Sequence, residues 1–191
     1  MTVLATTVIK LRLRDAFGDS AKFAVVGEPT TISEAAELAV SDPYQFQWWA
    51  LGFVGARPVP AKQKKGGDRG IDGRGYFHDE PGGKTKQIML SVKSGQLKPE
   101  FVRELRGVID RENAQIGVLI SLRSPTKEMR TEAASAGFYE SPWGRHPRVQ
   151  LLTVAQLFEG KGIDMPPQQT SSTFKRAPKV QAEPTEVDPL F

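Results

Sequence analysis

The chain has 191 residues with 26 Lys and Arg against 22 Asp and Glu, a formal net charge of +4. That length suits one compact domain with extensions, and the mild basicity permits a nucleic-acid partner without requiring one. The absence of cysteine excludes a disulfide framework, a thiolate zinc site and a cysteine nucleophile, and two histidines are too few for most histidine-built metal centres. No apolar run approaches the roughly 18 residues of a membrane span, and no basic-then-apolar leader opens the chain, so a cytoplasmic protein is expected.

Residues 3–13, VLATTVIKLRL, alternate apolar and polar toward their end, which predicts a half-exposed strand with KFAVVGEP as its partner. Residues 1–32 therefore read as a strand-rich extension. From Ser33, a plausible N-cap, Ala35, Ala36, Leu38 and Ala39 follow helical spacing. Asp42 then caps a helix with Pro43 in its first turn, aligning Phe46, Trp49, Ala50 and Phe53, and Gly55 ends it. ARPVPAKQKKGGD is a basic loop. Two strand-like runs follow, separated by Pro81-Gly82-Gly83, a turn signal. After Pro99 the spacing of Phe101, Val102, Leu105, Val108 and Ile109 predicts a helix. QIGVLISL is a continuously apolar strand, buried on both faces. Ser124 caps a helix that runs to Gly137, VQLLT is another buried strand, and VAQLFEG is a short final helix. Residues 33–164 thus form an α/β domain with a mixed central sheet flanked by helices. Residues 165–191, rich in Pro and small polar residues, are expected to be a disordered tail.

Two charges interrupt the hairpin runs: Asp72 among glycines, and Lys93 closing Ile88-Met89-Leu90-Ser91-Val92-Lys93. With the turn centred between Gly82 and Gly83, Asp72 faces Lys93 and Arg74 faces Ser91, so Asp72, Ser91 and Lys93 converge on one side of the sheet. A carboxylate, a second oxygen and a lysine could hold Mg²⁺ and polarise a phosphodiester. From spacing alone, a cross-strand ion pair between Asp72 and Lys93 is the plainer reading. Lys62, Lys64, Lys65 and Arg69 could contact DNA phosphates or could simply be a solvated loop. Trp49 belongs to the core, while Trp48 and Trp143 remain open to stacking on bases, and His78 is a surface residue near the turn.

GGDRGIDGRGYFHDE, then IMLSVKSG, a helix and IGVLISL together resemble the PD-(D/E)xK nuclease superfamily, in particular its Mrr-like restriction endonuclease domains. The stretch from about Asp42 to Gly160 is also similar to a domain at the C-terminal end of some site-specific DNA methyltransferases. The resemblance implies a restriction-endonuclease-like core and Mg²⁺-dependent cleavage of double-stranded DNA, in a restriction-modification setting, by a homodimer. It makes Asp72 the metal-binding acid, Ser91 the residue at the acidic or glutamine position, Lys93 the catalytic lysine and Val92 a metal ligand through its carbonyl. Gln47 stands where such nucleases often carry a glutamate, and Asp68 is near enough in sequence to compensate. Serine at 91 and glutamine at 47 depart from the pattern. They leave open an alternative: a weakly active or inactive nuclease-fold module that binds DNA or docks beside a methyltransferase.

Overall fold

The apolar strand anticipated around residue 118 is the centre of the sheet. A computed structural model describes residues 3–20, 22, 25–59, 70–80 and 83–167. Strand β4 (Ile116–Ser121) is buried at all six positions. It lies parallel to β3 (Lys86–Lys93) on one side and to β7 (Val149–Thr153) on the other. β2 (Gly73–Phe77) adds antiparallel to β3, and the two-residue β1 (Arg57–Pro58) completes the order β1-β2-β3-β4-β7.

Both faces of this mixed sheet are covered, which is why its central strands are apolar at consecutive positions. On one face, Ile88, Leu90, Val92, Ile116, Val118 and Ile120 pack against residues of α2 (Ile32–Ser41), α3 (Pro43–Phe53) and α6 (Val154–Phe158). On the other, Met89, Leu119 and Val149 meet α4 (Glu100–Arg111) and α5 (Lys127–Ala134). Helix α4 buries Val102, Leu105, Val108 and Ile109, worth roughly 1.5–3 kcal/mol per large side chain. It comes close because β4 carries Gly117, where a Cβ would lie 2.5 Å from Ile109 Cδ1 and 3.0 Å from Leu105 Cγ.

Several expectations need correction. Residues Val3–Phe17 form helix α1 and not a strand. The alternation there is brief, and an uninterrupted run without Gly or Pro, containing Ala5, Lys10, Arg12 and Leu13, also satisfies helix propensity. Its expected partner falls partly on residues outside those described, and the described residues 25–31 hold no strand. The caps of α2 and α5 are Thr31 and Thr126, not Ser33 and Ser124; each accepts the N–H three residues on. Asp42 does cap α3, accepting from Tyr44 and Gln45 N–H. Phe46, Trp49 and Ala50 are buried as expected, but Phe53 is 43% exposed. Between α5 and β7, where the sequence pattern predicts no element, lies a hairpin, β5 (Phe138–Ser141) with β6 (Gly144–Pro147). Met165 packs against the core and Pro166 is buried, so the ordered chain runs past the expected boundary; residues 168–191 lie outside those described.

Candidate functional site

The hairpin register differs by two residues from expectation. Gly73 pairs with Leu90 and Arg74 with Met89, a register whose continuation would set residue 72 opposite Ser91 instead of Lys93. A shift of two preserves the face, and Ser91 and Lys93 still share one side of β3. Asp72 N–H donates to Leu90 O at 2.8 Å while Gly73 also pairs with Leu90. Two residues thus address one, the local offset of a β-bulge, which re-aims a side chain.

Asp72 is 7% exposed, and its carboxylate is turned onto the protein's own backbone. Oδ2 accepts Val92 N–H at 2.8 Å and the Ser91 hydroxyl at 3.3 Å. The first bond has a clear origin. Lys93 O accepts Leu122 N–H, so the backbone of Lys93 faces β4 and, by alternation, that of Val92 faces the β2 side. β2 begins only at Gly73, which leaves Val92 N–H beyond the strand that would have paired it. Asp72 fills that position, and its own carbonyl accepts Val59 N–H at 3.0 Å.

Lys93 is half-buried, and its ammonium lies 5.1 Å from the Phe101 ring centroid, a cation–π contact with α4. It forms no ion pair with Asp72, so the cross-strand pair allowed by spacing is absent. Gln47 is half-buried on α3, whose core residues belong to the opposite face of the sheet from Ser91 and Lys93. Lys62, Lys64, Lys65, Asp68 and Arg69 lie outside the described residues. Sequence reasoning missed Glu104. Gly70 has φ 71° and no side chain, and the Glu104 carboxylate of α4 rests against it, with Oε1 2.8 Å from where a Cβ would be. Helical spacing puts Glu104 beside Leu105 on the flank of α4, but only the fold brings it to Gly70.

These donors do not fit a hard divalent cation. Mg²⁺ is held by carboxylate oxygens, carbonyls and waters in near-octahedral geometry. Here Oδ2 of Asp72 already takes two protein hydrogen bonds, and Ser91 is a neutral donor toward it. Among the described residues no group of three or more His, Cys, Asp or Glu could hold a metal ion.

At the other end of β4 a second polar cluster is structural. Ser141 Oγ lies 3.3 Å from His146 Nε2, and His146 Nδ1 lies 2.7 Å from Asp164 Oδ1, the order of a hydrolase triad. The Ser141 hydroxyl, however, donates to Gly144 O and accepts Trp143 N–H, so its proton is spent within the hairpin turn. The Gln150 side chain clamps the backbone of Asp164 at both N and O, and the network fastens the chain after α6 to the sheet. The same hairpin is anchored on the loop after β2, where Tyr139 donates to Asp79 and Trp143 Nε1 donates to Asp79 O at 3.0 Å. Burial and Asp79 push the Tyr139 phenol well above its ordinary pKa. Trp143 is 53% exposed. His78, half-buried, bonds Thr85 across the turn at 3.0 Å.

A mixed five-stranded sheet flanked by helices, with an acid at the start of one strand beside a Ser-Val-Lys strand end, defines a restriction-endonuclease-like fold. A family model described as NACHT-associated inactive Restriction Endonuclease 1 matches residues 55–159, more than half of the chain. The chain belongs to that family. No curated protein and no solved structure matches it. The membership overturns the expectation of a DNA-cleaving enzyme, because the family is one of inactive nuclease-like domains. The chemistry of Asp72 and Ser91 gives that correction a physical cause: the site has one carboxylate, hydrogen-bonded to the protein, and a neutral hydroxyl at the acidic or glutamine position.

Proposed function

We propose that this protein is a non-cleaving, nuclease-fold module that binds duplex DNA through backbone phosphates, beside a partner that carries a NACHT domain. The observation that carries the loss of chemistry is the Ser91 hydroxyl donating to Asp72. A second carboxylate there would attract a metal; a hydroxyl adds no charge and occupies an oxygen of the carboxylate that remains. The support for DNA is in the sequence: a basic segment, Lys62, Lys64, Lys65 and Arg69, stands a few residues ahead of Asp72. Lysines contacting phosphates give affinity without sequence readout and a strong salt dependence. The family description points to a NACHT partner in place of the methyltransferase suggested by resemblance.

The test is fluorescence anisotropy of a labelled duplex across a salt series, run with plasmid nicking in Mg²⁺ and Mn²⁺. The expected result is no nicking, with binding that weakens steeply as salt rises. Replacing Lys62, Lys64, Lys65 and Arg69 with serine should flatten the log–log salt slope by roughly 2–4, near 0.9 per lost phosphate contact. Salt-insensitive or absent binding would overturn the DNA reading. One observation favours protein docking in that event: Val40, Tyr44 and Phe53 of the helices preceding the matched segment are 86%, 56% and 43% exposed.

A further inference from the structure

We infer that Asp72 has exchanged metal-holding for strand-holding: it is a clasp that joins β1, β2 and β3 at the point where β2 begins, and Ser91 is the residue that lets it work without a cation. Its backbone N–H, its backbone C=O and Oδ2 of its carboxylate are all engaged by neighbouring segments. Its N–H goes to Leu90, its C=O takes Val59 N–H, and its carboxylate takes Val92 N–H and the Ser91 hydroxyl. The residue is nine-tenths buried, and a buried N–H without an acceptor is costly. The carboxylate thus acts as the missing residue of β2, extending the β2–β3 ladder by one bond.

Position 91 decides whether that arrangement is stable alone. An acid there would set two carboxylates together, and like charges so placed must bind a cation, take up a proton or separate. Serine replaces the repulsion with a donor–acceptor contact. The clasp rests on the non-cleaving reading of this site, but it assigns Asp72 a task that a merely decayed metal site would not have. An orphaned metal ligand is dispensable for stability, and its removal often helps folding. A clasp is not.

The experiment is thermal melting of the full chain in EDTA and in millimolar Mg²⁺ or Mn²⁺, for wild type, Asp72→Asn, Asp72→Ala and Ser91→Asp. Wild type should melt at the same temperature in chelator and in cation, since a cation bound only by the folded state would raise it. Asp72→Asn keeps an oxygen for Val92 N–H and should melt within about 2 °C of wild type, whereas Asp72→Ala should fall by about 3–8 °C. Ser91→Asp should melt lower in EDTA and recover in divalent cation. If Asp72→Ala fails to fold, the asparagine variant and the cation comparison still decide. A wild-type melting temperature raised by Mg²⁺ or Mn²⁺, with the rise cancelled in Asp72→Asn, would overturn the inference. So would an alanine variant as stable as wild type, or a Ser91→Asp protein indifferent to both chelator and cation. DNA anisotropy on the same proteins without divalent ions separates this outcome from failure of the DNA reading.

Discussion

Arg74 and Glu112 join β2 to the end of α4 through an N···O contact of 2.8 Å, with side chains 33% and 18% exposed. Arg74 also donates to Gln87 on β3, and Arg111 adds a contact to Glu112 at 3.3 Å. The Arg74 hydrogen bond is the main reason the Glu112 carboxyl sits below its ordinary value of 4.5, against the opposing effect of burial. A folded-state value depressed below the unfolded one stabilises the protein above about pH 4.5, and that stability is lost as pH falls through the folded value. Arg74→Met should therefore cost about 0.5–1 kcal/mol near neutral pH, discounted for partial exposure. The gap from wild type should close as the solution is acidified below 4.5. Urea melts of both proteins from pH 7 to pH 3 measure it, and a gap that widens in acid would contradict the assignment. That Ser91 and Lys93 share one side of β3 is legible because alternation survives a two-residue change of register. That Asp72 would reach Val92 N–H instead of Lys93 was not legible, because it depends on an offset at Leu90 and on where β2 begins.

Among the elements, legibility followed the strength of the hydrophobic pattern. α4 and β4 were readable because a four-residue apolar stripe and a six-residue buried run admit few alternatives. The β5–β6 hairpin was hidden: its burial alternates weakly, and its hold on the fold comes from Tyr139 and Trp143 reaching Asp79, more than fifty residues earlier in the chain. The contact between α4 and β4 carries its own prediction. Gly117 leaves room for Ile109 and Leu105 to lie directly on the strand, so adding atoms there must push the helix outward or force poor rotamers. Gly117→Val should cost about 1–3 kcal/mol or more, read as a lower urea midpoint with little change in slope. Valine's preference for strands will not offset the clash, because residue 117 is already paired with both neighbouring strands and what changes is the helix seated above it.

For the whole molecule, the segment that defines the family and the segment that folds are not the same length. The family match starts at residue 55, just after α3 ends at Phe53. Yet one face of the sheet draws Ala35, Ala39, Phe46, Trp49, Ala50 and Leu51 from α2 and α3. Trp49 further ties α3 to α6, with ring centroids 5.8 Å from Phe158. Without these helices Ile88, Leu90, Val92, Ile116, Val118 and Ile120 would lose most of their cover on that side. Phe46, Trp49 and Leu51 alone represent roughly 5–9 kcal/mol of burial, against a net stability of about 5–15 kcal/mol for a domain. A chain beginning at Gly55 should therefore lose near-ultraviolet circular dichroism and a cooperative melt. A chain beginning at Thr30 keeps the Thr31 cap and all of the described buried apolar residues, none of which precedes Ala35, but gives up the packing of α1 on α3. Besides that packing it forgoes the Lys10–Glu28 ion pair, worth at most about 1 kcal/mol, and should still melt cooperatively, at a temperature below that of the full chain. A cooperative, native-like melt from the Gly55 chain would mean that α6 and the segment after it cover the sheet unaided, and would remove α2 and α3 from the folding unit.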